Sequence, residues 1–143
     1  MASQATYDDA NLILRLYELR REDKMREARS WFASSFRPQS LEEMNSIAAP
    51  GSPQNAHMRQ VISYFEMVAS FITSGVLNKQ LYFASGGELL LVYLRLKPVL
   101  AAFRDSVKNP TAYANLESVG EDFLAWFDQK GPGAKDAIVA RMS

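Results

Sequence analysis

From Ser52 to Gly75 the chain carries a serine cap, a proline at the first helical position, a long run free of further glycine or proline, and a glycine suited to a left-handed stop. Apolar residues recur through that run at helical spacing. With Phe65 as centre, Met58, Val61, Ile62, Val68, Ala69 and Ile72 fall within about 60° of it on a helical projection. Tyr64 and Phe71 widen the apolar surface further. A helix near residues 53–74 with so broad a stripe has to sit at the centre of a fold, covered on more than one side.

What covers it is also helical. Thr6-Tyr-Asp-Asp9 has capping-box spacing and opens a helix near residue 7, with Leu12, Leu16 and Leu19 along one face. The stretch RREDK at 20–24 lacks apolar residues, and the stripe then resumes with Met25, Ala28, Phe32 and Phe36. That pattern predicts two helices with a break near 21–23; one continuous helix is the alternative. Arg37-Pro38 stops the second. Ser40-Leu-Glu-Glu43 caps a short helix to about Ala48, and residues 49–55 form a loop.

Beyond Gly75 the signals repeat. Asn78 caps a short helix over 79–85. Ser85-Gly-Gly-Glu88 has capping-box spacing and opens an apolar helix that Pro98 kinks or breaks. Asn109-Pro110 opens a helix to about Gln129, with Tyr113, Leu116, Val119, Phe123, Trp126 and Phe127 at helical spacing. A turn at 130–133 leads to a last short helix at 134–142. Glycine and proline fall almost entirely at these boundaries, strand signals are nearly absent, and no internal repeat is visible. The expectation is an all-α fold, a single helical domain over residues 1–143 built as a bundle of about six to eight helices.

Composition narrows the function classes. Sixteen Lys and Arg balance sixteen Asp and Glu, so no overall field draws the chain to nucleic acid or an anionic membrane. The one basic cluster, Arg15 to Arg29, is interleaved with Glu18, Glu22, Asp23 and Glu27, as on a solvated helix face with weak pairs such as Glu22 with Arg26. The chain has no cysteine, which excludes disulfides, thiolate metal sites and cysteine nucleophiles. The N-terminus lacks the basic and apolar regions of a signal peptide, and Arg95, Lys97 and Pro98 interrupt the most apolar segment before it could span a bilayer. A cytoplasmic protein is expected.

Chemistry is equally sparse. His57 is the only histidine, no Gly-x-Ser-x-Gly elbow accompanies it, no Glu-x-x-His pair occurs, and Gly86-Gly87 matches no phosphate-binding loop. No catalytic, cofactor-binding or metal-ligating residue is assigned, and no cofactor is expected. Trp31 and Tyr64, beside their helices' stripes, are candidates for a partner surface. The other candidate is Glu66, about 100° from Phe65 at the polar edge of the central stripe, flanked by Arg59, Ser63, Ser70 and Thr73. A carboxylate at such an edge needs a partner, because isolated burial of charge is costly. Arg59 is two turns away, roughly 10 Å along the axis. Arg104, which ends an otherwise apolar helix, is the expected partner. Arg59, Glu66 and Arg104 thus form a candidate polar site, a structural tether first and a ligand site second.

The same residues carry a family likeness: Arg59, Tyr64-Phe65-Glu66 and Gly75-Val-Leu-Asn78, then Pro98, Arg104, Asn109-Pro-x-x-Tyr113 and Glu117. Over roughly residues 10 to 128 the chain resembles a bacterial all-helical family catalogued as a domain of unknown function. Members of that type often follow an N-terminal membrane helix, a pattern from which this sequence departs, and the resemblance implies no catalytic residue. The functional expectation is a non-enzymatic interaction or regulatory module with a protein partner, possible homodimerisation, no nucleic acid and no membrane span. A small-molecule-binding domain or enzyme centred on Glu66 is the alternative, with nucleic-acid binding third.

Overall fold

The computed structural model describes residues 4–143, which form eight α-helices and no strand. They are α1 (Tyr7–Arg20), α2 (Asp23–Ser35), α3 (Leu41–Ile47), α4 (Pro53–Thr73), α5 (Lys79–Ser85), α6 (Glu88–Val107), α7 (Ala114–Asp128) and α8 (Ala134–Met142). The central helix is α4. Its buried residues are Met58, Val61, Ile62, Phe65, Val68, Ala69 and Ile72, the set its spacing predicts. It packs chiefly on α2 and α7, and α6 packs on α7, so one core cluster runs through the molecule.

Most helix starts follow from short polar side chains. Thr6 and Asp9 form a reciprocal capping box on α1, Ser40 accepts from the Glu43 amide, Ser52 from Asn55 and Asn78 from Leu81. α1 and α2 are separate, and Glu22 spends its carboxylate capping α2 through the Met25 amide (3.1 Å) rather than on Arg26. Gly75 adopts φ +84° just past α4, the left-handed stop that an L side chain resists. Trp31 and Tyr64 are half-buried at the core's margin: Trp31 lies against Phe32, Phe36 and His57, and the Tyr64 hydroxyl donates to the Leu16 carbonyl at 2.6 Å.

Four expectations change. Ser85 does not cap α6; it is the last residue of α5, its hydroxyl donates to the Tyr82 carbonyl, and Glu88 turns away to meet two arginines. Of the kink or break that Pro98 allows, the break does not occur: α6 continues to Val107. Lys97 and Pro98 lie on the exposed side, so the missing ladder bond faces solvent rather than the core. Asn109-Pro110 does not open α7. Asn109 accepts from both the Thr111 amide and its hydroxyl (3.1 Å each), which closes a local turn and delays the helix to Ala114. The buried face of α1 is also rotated from the leucine stripe: Asp9 and Leu16 are buried, Leu12, Ile13 and Arg20 half-buried, and Leu19 exposed. The cause is polar. Asp9 turns in to accept from the Asn78 amide at 2.8 Å, and Arg20 turns in to reach Glu88 at 3.0 Å.

Candidate functional site

The start of α7 has no cap of its own. Tyr113, at its N-cap position, sits in the left-handed region (φ 57°), and no local side chain accepts from the first-turn amides. Such amides are obligatory donors at the positive end of the helix dipole. Glu66, from the middle of α4, supplies the acceptor across space. Its Oε1 accepts from the Leu116 amide at 2.8 Å, and its Oε2 accepts from the Asn115 side-chain amide at 2.8 Å. Asn115 is held in turn by the Thr73 hydroxyl, which donates to its Oδ1 at 2.6 Å.

Arg104 reaches the same turn from α6. Its Nε donates to the Ala112 carbonyl at 2.9 Å, and it pairs with Glu117 at 3.1 Å. The expected Glu66–Arg104 pair therefore does not form. The physical reason is competition: Glu66 faces uncapped amides, while Glu117, one residue beyond Leu116, already neutralises the guanidinium. The two residues converge on one segment, 112–117, from opposite helices. Arg59 is exposed and contributes only through its field. The Tyr113 phenol, stacked on Phe103 at 5.6 Å, is raised above its ordinary pKa by burial and the Glu66 charge, with Arg59 opposing.

This arrangement locks elements together; both oxygens of Glu66 are occupied. Glu66, Arg104 and Asn115 line none of the principal surface clefts, and Thr73 borders one of them. Among the described residues no group of three or more His, Asp or Glu side chains could hold a metal ion, and no helix is long and apolar enough to cross a membrane.

Two further polar clusters were not legible as such. In one, Glu88 joins α1, α2 and α6: its Oε1 accepts from Arg20 at 3.0 Å and from Arg29 Nε at 2.9 Å, its Oε2 accepts from the same Nε at 2.9 Å, and Arg29 also donates to the Arg20 carbonyl. In the other, Arg95 is buried with four backbone carbonyls around it. The only sequence signal for Arg95 was its isolation in an apolar run; nothing local singles out Glu88 from a cap.

Residues 5–123 match the profile of a domain of unknown function, DUF4760. The chain belongs to that family. The match takes in α1 to α6, the start of α7 and thus the whole Glu66–Arg104 junction, while α8 lies beyond it. No curated protein and no solved structure matches the chain.

Removing the cross-helix cap has a measurable consequence. Glu66→Ala is expected to cost about 2–3 kcal/mol, combining a lost helix cap with two hydrogen bonds to a charged acceptor. Glu66→Gln keeps one acceptor and should cost less, about 1 kcal/mol, through the lost charge at the helix end. Urea unfolding of the single and double variants checks the wiring. Coupling should be large between Glu66 and Asn115 and smaller between Glu66 and Arg104, and the reverse order would contradict the contacts described.

Proposed function

We propose that the domain is a non-enzymatic interaction module, working in the reducing interior of a bacterial cell, that associates with a second copy of itself through the outer face of α1. The carrying observation is an exposed apolar seam on α1, at whose C-terminal end the guanidiniums of Arg20 and Arg21 lie over the Tyr17 ring at 5.2 and 5.7 Å. Tyr7, Leu14 and Tyr17 are 87, 60 and 49% exposed, and Ala10 is exposed as well. Their spacing of three, four and three residues is that of coiled-coil core positions, on the side of α1 turned away from its buried residues. Scattered exposed apolar residues need no explanation, but a helix with two apolar stripes does.

A second copy suits the seam when the two helices run antiparallel. Ala10 then faces Leu14 of the other copy, small against large, and Tyr7 faces Tyr17. The balanced sequence charge offers no long-range repulsion to association. One helix pair buries less than about 1,000 Å², so the dimer is transient, with a dissociation constant on the order of 100 µM. The engagement of both Glu66 oxygens by Asn115 and Leu116 favours this reading over a ligand site at Glu66.

Sedimentation equilibrium tests it: apparent mass should rise with concentration in the wild type and stay monomeric in Leu14→Asp, with unfolding unchanged because Leu14 touches no core. Because the chain lacks cysteine, single-cysteine variants report the geometry cleanly. Asn11→Cys, near the two-fold axis, should form disulfide dimers, and Glu18→Cys should not. A wild type that stays monomeric to millimolar concentration would sink the proposal, and equal cross-linking of both variants would sink the antiparallel arrangement.

A further inference from the structure

The link between α1 and α2 is almost a helix. Residues 20–24 contain neither glycine nor proline. Arg21 is already in the helical region, at φ −86° and ψ −7°, so the bend rests on the extended ψ of Glu22, at φ −59° and ψ 142°. Rotating that one ψ would join the two elements into a single helix from Tyr7 to Ser35. The amides of Asp23, Lys24 and Met25 would then bond to the carbonyls four residues back, in place of the Glu22 carboxylate that now caps the Met25 amide at 3.1 Å.

α1 is also lightly seated. Of its 14 residues only Asp9 and Leu16 are buried. Polar contacts hold much of the rest: Asp9 accepts from the Asn78 amide at 2.8 Å, the Leu16 carbonyl accepts from the Tyr64 hydroxyl at 2.6 Å, and Arg20 pairs with Glu88 at 3.0 Å. The packing beneath is incomplete. A half-open, mainly apolar cavity of about 90 Å³ is lined by Ile13, Leu16 and Tyr17 of α1 and by Tyr64, Phe65 and Tyr82 opposite. The buried Nε of Arg20 has no partner among the described residues. Missing contacts and an unpaired donor both make it easier for α1 to lift away as a unit.

A groove left empty would wet Tyr64, Phe65 and Tyr82, so an opened molecule needs a replacement for α1. The segment whose contacts fit that groove is α1 itself. We propose that α1 is exchanged between two copies: each chain straightens at Glu22 and seats its α1 in the groove of the other. Asp9, Leu16 and Arg20 then meet Asn78, Tyr64 and Glu88 of the second copy. Only the hinge changes, so the exchanged dimer keeps the contacts of the closed monomer, and concentration selects between the two forms. The inference goes beyond the seam contact, because it uses the inner face of α1 and requires that helix to leave its groove.

The test uses the full chain carrying Leu14→Asp, which disables the seam, so that failure of one reading is distinct from failure of the other. The protein is held at high concentration in urea below its unfolding transition, returned to buffer, diluted and passed over a size-exclusion column. A dimer that survives dilution is expected. In it the amides of Asp23 and Lys24 should gain protection from hydrogen exchange, because the straightened helix bonds them. Adding Glu22→Ala, which removes the cap from the bent form, should favour the dimer about fivefold at each of the two hinges. Adding Asp23→Pro should abolish it, since proline suits the first position of α2 after an extended residue but cannot lie inside a continuous helix. Absence of a lasting dimer both with and without Glu22→Ala would overturn the proposal. So would a dimer in which those two amides stay unprotected, or one that forms equally in Asp23→Pro.

Discussion

Arg95→Met is expected to destabilise the domain by about 3–5 kcal/mol, a large share of the 5–15 kcal/mol typical of a domain this size. Arg95 lies on α6 and is only 4% exposed, yet no carboxylate pairs with it. Its Nε donates to the Met142 carbonyl at 2.7 Å, and one terminal nitrogen faces the carbonyls of Phe32 (3.4 Å), Ala33 (3.1 Å) and Phe36 (3.1 Å). These last three lie at the C-terminal end of α2, where the helix dipole is negative; the Phe32 carbonyl also accepts from the Phe36 amide at 3.0 Å, whereas those of Ala33 and Phe36 have no helical donor. One guanidinium thus closes α2 and ties down the end of α8.

The usual rule for buried ions would predict a smaller effect. Replacing a buried ion pair with apolar residues is often neutral, because both costly charges leave together. Here the acceptors are backbone, and no substitution at residue 95 removes them. Methionine preserves the packing of the arginine stem and so isolates the loss of hydrogen bonds. Arg95→Lys should fall between, since one ammonium cannot reach acceptors from two helices at once. Urea unfolding measures the change, and hydrogen exchange should show α8 amides opening before the rest in the methionine variant. A change under about 1 kcal/mol would mean that solvent satisfies those carbonyls and that Arg95 is not their cap.

These residues also mark the boundary of what sequence could show. The buried face of α4 was fully readable, because apolar side chains announce helical burial through spacing alone. The caps at Thr6, Ser40, Ser52 and Asn78 were readable because cap and helix are neighbours in the chain. The candidate site was half readable. Glu66 at the edge of an apolar stripe demanded a partner, but the choice of Leu116 and Asn115 over Arg104 depended on α7 starting uncapped. That start depended on Asn109 being consumed by a turn. Each of these is a competition between local and distant acceptors, and spacing carries no information about who wins. Glu88 shows the same limit: at capping distance from Ser85, it is claimed instead by arginines from α1 and α2.

Gly120 is the exception to the rule that glycine marks boundaries, and its substitution tests the tightest contact in the fold. It lies inside α7, buried, where alanine would ordinarily be the better helix former by about 1 kcal/mol. A Cβ there would overlap Cδ2 and Cγ of Tyr93 and approach its Cβ to 2.9 Å. Tyr93 is buried on α6 and cannot step aside, because its hydroxyl is bonded to Glu121, which also holds Lys97 at 3.1 Å. The missing side chain therefore sets how closely α6 and α7 approach. Gly120→Ala is expected to cost about 2–3 kcal/mol net, as overpacking outweighs the gain in helix propensity. The cost should fall in a Tyr93→Ala background, where the ring atoms Cγ and Cδ2 are gone and only the Cβ contact at 2.9 Å remains. Thermal or urea unfolding of the four-member cycle reads the coupling directly. If Gly120→Ala proved neutral or stabilising in the presence of Tyr93, the α6–α7 crossing would be looser than the contact at this glycine requires.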